Sequence, residues 1–119
     1  TRRLNFGKIA TSFLYHVPDI RTAEAFPDSQ WVPFGVPFIC KDKEQKQKLV
    51  KHLEDNGIQT RNYFAGNLLM HNGYKHLDDY RKYPESNKVL DLVFFVGCAP
   101  TISLDNIQHI DKVLSLWKM

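Results

Sequence analysis

Histidine, cysteine and carboxylate side chains carry most protein chemistry, and in this chain of 119 residues they are scattered. His16, His52, His71, His76 and His109 stand apart. The closest two, His71 and His76, are separated by a step that does not put both on one helical face. Cys40 and Cys98 each lie in an apolar, strand-like run, where a reduced thiol packs as a small hydrophobe. Neither has a histidine beside it and no Cys-x-x-Cys occurs, so ligand spacing predicts no metal site. The acidic residues Asp78 and Asp79 are adjacent, and their side chains diverge on any regular element. There is no Gly-x-Ser-x-Gly elbow and no phosphate loop of the P-loop type. The sequence therefore predicts no catalytic residue within this chain.

Composition agrees with an ordinary globular domain: 43% hydrophobic, 24% charged, net charge +3. The length suits one domain with a small core. The densest basic cluster, Lys41, Lys43, Lys46, Lys48 and Lys51, is interrupted by Asp42 and Glu44, which reads as a solvated helix face and not a nucleic-acid patch. No apolar run approaches the ~20 residues of a membrane span, and the sequence shows no signal-peptide pattern, so a cytoplasmic location is expected. The chain opens on Thr1-Arg2-Arg3-Leu4 with no initiator Met, which predicts a piece of something longer.

The elements follow from periodicity. Phe6, Ile9, Ala10, Phe13, Leu14 and Val17 form one stripe of a helix over residues 3–17, ended by Pro18. Residues 18–30 read as a loop. Residues 31–40 read as a strand with Val32, Phe34, Val36, Phe38 and Cys40 on one face; Pro33 and Pro37 send their missing N–H groups to the same side, which suits an edge. Asp42 caps a second helix with Gln45 in a capping-box-like pair, and Gly57 stops it in a left-handed C′ position. Residues 58–64 read as a strand, 65–67 as a turn, and 67–83 as short turns and loop. A short helix starts near Pro84 or Ser86. The run Leu92–Cys98 reads as a central strand covered on both faces. Ser103 caps the last helix, with the stripe Leu104, Ile107, Ile110, Val113, Leu114 and Trp117. The expected fold is α+β: a small, mostly antiparallel three-stranded sheet with helices packed on one side.

One stretch is more specific than these patterns: Gly57-Ile58-Gln59-Thr60-Arg61, followed by Phe64-Ala65-Gly66-Asn67. It resembles the C-terminal small domain of the DegT/DnrJ/EryC-type pyridoxal-phosphate sugar aminotransferases and dehydrases, nearest to the branch of CDP-4-keto-6-deoxyglucose 3-dehydrases, which serve lipopolysaccharide biosynthesis. The flanks Asp28–Pro37 and Phe94–Pro100 resemble two further strands of that domain. Arg3 and Asn5 resemble the end of its inter-domain helix. His71-Asn72 stands where the family has glutamine–proline, and Phe95 where it has tryptophan.

The resemblance implies a division into residues 1–17, the end of the inter-domain helix, and residues 18–119, the small domain of an aspartate-aminotransferase-like fold. The large domain, which in this family binds the PLP or PMP cofactor, would lie elsewhere. The resemblance also implies a sugar-nucleotide substrate, a homodimer, and for the 3-dehydrase branch an iron–sulfur cluster and a reductase partner. The chain alone is expected to hold no cofactor and to be inactive.

What remains for a small domain is to close one wall of the substrate site. Arg61 is the first candidate, since a guanidinium grips a phosphate or carboxylate in two places. Gly66 and Asn67 come second: glycine permits a tight turn, and the amide offers donors and an acceptor to sugar hydroxyls. Trp31 and Phe34 can wall a cofactor or sugar, and His71 can supply a hydrogen bond or a proton. Two alternatives stand beside this reading. The pI of 8.9 and 13% aromatic content motivate a stand-alone α+β nucleic-acid binder, although no RNA-recognition aromatic signature is present. A non-catalytic protein-interaction domain docking through an exposed sheet face is the other.

Overall fold

The computed structural model describes residues 1–118. In chain order the elements are α1 (Arg2–His16), β1 (Arg21–Thr22), β2 (Gly35–Ile39), α2 (Lys43–Asp55), β3 (Arg61–Asn62), 3-10 turns at Leu68–Met70 and Tyr80–Lys82, α3 (Pro84–Leu92), β4 (Val93–Gly97) and α4 (Leu104–Ser115). The fold is α+β. Its antiparallel sheet has four strands in the order β1-β2-β4-β3, one more than the expected three. The extra strand is the two-residue β1, inside the stretch expected to be loop; so short a strand carries no alternation for sequence to show.

The strands are also shorter than expected. Residues 31–34 stay outside the sheet, and only Arg61 and Asn62 of the 58–64 stretch pair with β4. Val32 and Phe34 are accordingly exposed, not aligned with Val36, Phe38 and Cys40 in the core. β2 is not the expected edge strand: it lies between β1 and β4, and Pro33 falls outside the sheet. Cys40 N donates to Leu92 O, so alternation turns the N of Pro37 away from β4. On that outer side β1 reaches only as far as the Thr22–Phe38 pair. The Thr22 hydroxyl then donates to Pro37 O at 2.7 Å.

Helix boundaries are set by local hydrogen bonds. Val17, before Pro18, is extended (φ −110°, ψ 111°), as a residue preceding proline prefers. Asp42 accepts from Gln45 N at 2.7 Å. The return bond of Gln45 runs to Lys41 N, not to the cap residue, and its amide donates to Pro18 O. That one buried side chain ties the start of α2 to the exit of α1. At the other end Ile58 N reaches Leu53 O and Gly57 N reaches Glu54 O, with Gly57 at φ +80°. This is a Schellman close with Ile58 folded back into the core. Ser103 and Asn106 form a reciprocal capping box on α4.

One sheet face carries Val36, Phe38, Cys40, Phe94, Val96 and Cys98 into a core shared with α1, α2 and α4. The rings of Phe13 and Phe38 stack with centroids 3.9 Å apart. Each fully buried side chain of this kind contributes about 1.5–3 kcal/mol by leaving water. α1 is an integral part of this core through Phe6, Ile9, Ala10 and Phe13, and the Asn5 amide donates to Ala99 O at 2.9 Å. Leu14 and Leu104, expected in apolar stripes, are exposed, each off the buried face of its helix. Among the described residues no helix is long and apolar enough to cross a membrane.

Candidate functional site

Alternation along the strands leaves a second sheet face, turned away from the helix-packed core. Gly35, Pro37 and Ile39 of β2 and Val93, Phe95 and Gly97 of β4 belong to it, and the registers place Arg61 beside Phe95 and Arg21 beside Ile39 on the same side. Phe95 is its centre. Around it stand Phe34 (centroids 5.7 Å), Phe64 (5.8 Å, stacked at 22°) and Tyr63 (6.2 Å, edge-on). These contacts bury Phe95, while Phe34 and Phe64 stay 70% and 68% exposed.

Two backbone features make this cluster possible. A Cβ on Gly35 would fall 2.7 Å from Phe95 Cδ2, so the ring lies across a position that only glycine leaves open. Phe64 has φ +54°, and its N–H bonds Asn62 O at 2.7 Å. A phenylalanine in the left-handed region carries a conformational cost, and the tight turn it closes swings its ring over Phe95.

A cleft of about 240 Å³ opens here, with Trp31, Phe34, Gly35, Tyr63, Phe64 and Phe95 in its wall. A wider depression beside it is lined by Phe34, Arg61, Asn62, Phe64 and Phe95. The structure thus brings Arg61, Phe34 and Trp31 to one surface. Arg61 is exposed, and among the described residues its guanidinium has no ion-pair partner. Trp31 is shared with the core, set edge-on against Phe6 at 4.4 Å.

Gly66, Asn67 and His71 line neither cleft. Gly66 (φ +66°) lets the turn press on α3, where a Cβ would meet Leu90 Cβ at 2.8 Å. Asn67 is only 4% exposed. Its Oδ1 accepts from Leu69 N, and its Nδ2 donates to Asn87 Oδ1 and Tyr80 O. Both amide hydrogens are therefore committed within the chain. His71 is exposed and its Nε2 bonds the Ala65 carbonyl. These three residues shape the loop that follows Phe64.

Sequence reasoning passed over Gly35, Tyr63, Phe64 and Phe95. The signal was present in Phe94-Phe95: adjacent aromatics in a strand face opposite ways, so one had to leave the helix-packed core.

The perturbed titrations lie outside this surface. Burial pushes the Cys40 thiol up to about 11, with Lys46 opposing it, and burial also raises the Cys98 thiol. Burial lowers the Lys46 ammonium below the ordinary lysine value. The Lys82 side chain, with the Asp79 amide and Tyr83 hydroxyl, holds Asp78 down at about 2. Among the described residues no group of three His, Cys, Asp or Glu side chains is placed to hold a metal ion. The surface can bind a planar or apolar group and pair one anionic group with Arg61.

The DegT/DnrJ/EryC1/StrS aminotransferase family matches this chain over residues 1–115. Lipopolysaccharide biosynthesis protein RfbH of Salmonella typhimurium is 27% identical over 119 residues, which covers 96% of this chain and 26% of that protein. E. coli GDP-4-keto-6-deoxy-D-mannose-3-dehydratase with bound hydrated PLP superimposes with a TM-score of 0.71 at 24% identity, over 95% of this chain and 30% of that one. A Streptococcus pneumoniae protein assigned as a sugar aminotransferase, in its PMP form, gives a TM-score of 0.79 at 14% identity, over 96% of this chain and 29% of that one. At these identities the two structures show a shared fold. The chain spans about a quarter of the length of the curated relative and under a third of each solved one.

Proposed function

The chain belongs to the DegT/DnrJ/EryC1/StrS aminotransferase family, and from that premise we propose that it is the small lobe of a PLP- or PMP-dependent enzyme acting on a nucleotide-linked 4-keto-6-deoxyhexose. In this reading residues 18–119 form the lobe, and α1 joins it to a large domain that carries the cofactor. The outer sheet face closes one wall of the substrate site. The observation that carries the reading is the exposed cluster of Phe34 and Phe64 over Phe95 beside an unpaired Arg61. Exposed aromatic area of this kind marks a surface that is covered in use. The substrate class is supported by the names of two similar proteins: a 3-dehydratase of a GDP-linked 4-keto-6-deoxy sugar and a lipopolysaccharide biosynthesis protein.

The residues of this face do not by themselves fit pyridoxal phosphate. An aldehyde cofactor needs an amine or imidazole at its reactive carbon and an acid at its ring nitrogen. The two clefts offer aromatic rings and one guanidinium. The task left to this chain is to exclude water with Phe34, Tyr63 and Phe64 and to neutralise an anionic substrate group with Arg61. The rest of a homodimeric enzyme would supply the cofactor chemistry. Deoxygenation of a CDP-linked sugar, with an iron–sulfur cluster and a reductase, is the specific version proposed.

The test has two arms. The chain alone, mixed with pyridoxal phosphate and reduced with borohydride, gives no stoichiometric pyridoxyl adduct by intact mass. The enzyme carrying this lobe together with its cofactor domain consumes a CDP- or GDP-4-keto-6-deoxyhexose, and Arg61→Ala raises KM at least about tenfold, the loss of a charge-assisted contact. A single-lysine adduct on the isolated chain, or an Arg61→Ala enzyme with unchanged KM, refutes the proposal.

A further inference from the structure

We propose that Lys46 is the positioning residue of the aromatic face: from the helix side of the sheet it clamps β3 to the last turn of α3 and so fixes Arg61 and the Tyr63–Phe64 turn. The inference rests on reading that face as the functional surface.

Lys46 lies on α2 and is only 8% exposed. Its Nζ donates to Asn62 Oδ1 at 3.0 Å and to Leu90 O at 2.6 Å. Among the described residues it has no carboxylate within ion-pair distance; neighbouring Asp91 is met by Lys43 at 3.9 Å. A buried ammonium without a counter-charge is costly, and burial lowers its pKa accordingly. Its two acceptors are therefore what hold it in place, and they belong to the two elements that bracket the site loop.

Asn62 pairs with Phe94 and faces the core side, while its neighbour Arg61 pairs with Phe95 and faces the aromatic side. β3 consists of these two residues alone, hydrogen-bonded to β4 on one side. So short an edge strand has little hold of its own. Leu90 O lies in the final turn of α3, where carbonyls lack helical partners and a cation is favoured. Leu90 is gripped a second time by Gly66, whose missing Cβ lets the Phe64–Gly66 turn lie on its side chain. The loop between β3 and the first 3-10 turn is thus pinned to one residue of α3 from two directions.

The test is amide hydrogen exchange by NMR on the whole chain carrying Lys46→Met. The expected result is exchange at Arg61–Gly66 faster by at least about tenfold relative to Leu49, Leu53 and Phe94, since a charge-assisted bond is lost locally. Uniform acceleration everywhere, or none in residues 61–66, overturns the proposal. Asn62→Ala removes the same contact from the other side and is expected to give the same local pattern; its absence overturns the proposal if Lys46→Met does not fold. In the unaltered chain the Lys46 ammonium protons should exchange slowly with water, and a freely exchanging ammonium also overturns it. In the assembled enzyme Lys46→Met raises KM for the sugar nucleotide with kcat little changed. An unmoved KM alongside the local exchange pattern leaves the clamp standing and counts against the reading of the face.

Discussion

Gly35→Ala and Gly97→Ala are the same substitution at two residues of one ladder pair, and the structure gives them opposite signs. Neither glycine has a positive φ, so the backbone of each accepts alanine. At Gly97 a new Cβ meets nothing within 4 Å. Replacing a strand glycine there gains up to about 0.5–1 kcal/mol by restricting the unfolded chain. At Gly35 the Cβ falls 2.7 Å from Phe95 Cδ2, 3.3 Å from Cε2 and 3.1 Å from Val96 O. The ring is packed among Phe34, Tyr63 and Phe64 and cannot simply swing away. Overpacking costs about 1–3 kcal/mol, which offsets the entropic gain of up to about 1 kcal/mol and leaves a net loss of up to about 2.5 kcal/mol. Urea unfolding measures both variants. Phe95→Val removes the two ring atoms, and in that background Gly35→Ala should cost less than about 0.5 kcal/mol or stabilise, a coupling that a double-mutant cycle reads. Stabilisation by Gly35→Ala in the unaltered chain would show that Phe95 does not lie across Gly35, and the account of the aromatic face would fail.

Three further outcomes are expected. Asn67→Ala strands Leu69 N and Asn87 Oδ1 and should cost about 1–3 kcal/mol in urea unfolding; a loss below about 0.5 kcal/mol would show the loop is not pinned there. Cys40 ionises at 9.0 when unfolded and about 11 when folded because burial disfavours the thiolate. Its contribution is therefore complete below pH 9.0 and falls as pH rises to about 11; this slope should flatten in Cys40→Ala, and an unchanged slope contradicts the assignment. Asp78, held at about 2 mainly by Lys82 against an ordinary 3.8, lends stability that is present above pH 3.8 and is lost between 3.8 and about 2. An NMR titration midpoint at or above 3.8 would remove that contact from the description.

The parts of the fold legible in sequence are those where a residue satisfies its own neighbourhood. Asp42 with Gln45, Gly57 with Ile58, and Ser103 with Asn106 each close hydrogen bonds within a few residues, so their types at that spacing announce a helix end. The Leu92–Cys98 run announces a central strand because both its faces are covered, one by helices and one by aromatics. Strand lengths were not legible, because whether residues 31–34 or 58–60 pair depends on how far a distant strand extends. Within the candidate site, Arg61 and Phe34 were visible as types. The role of Asn67 was not: a buried asparagine facing Tyr80 and Asn87 reads in sequence like an exposed one offering its amide to a ligand. The aromatic cluster was hidden for a similar reason, since it joins Phe34, Phe64 and Phe95 from three separate segments.

The two sides of the sheet obey different rules, and the difference argues for use. On the helix side buried polar groups are met: the amides of Asn5 and Gln45 reach Ala99 O and Pro18 O, and the Lys46 ammonium reaches Asn62 and Leu90. Trp117 Nε1 is the one buried side-chain polar atom without a partner among the described residues. On the other side two phenylalanines stand about two-thirds in water around a ring that is buried. A face meant for permanent solvent would gain from polar residues at 34 and 64, and a face meant for permanent burial would gain nothing from a guanidinium on its edge strand that has no ion-pair partner among the described residues. Aromatic rings with one free cation suit a surface that is wet part of the time and meets an anionic group when covered. Under the proposed function this is what a wall of a sugar-nucleotide site needs, and the left-handed Phe64 and the tight contact at Gly35 both serve this side of the sheet.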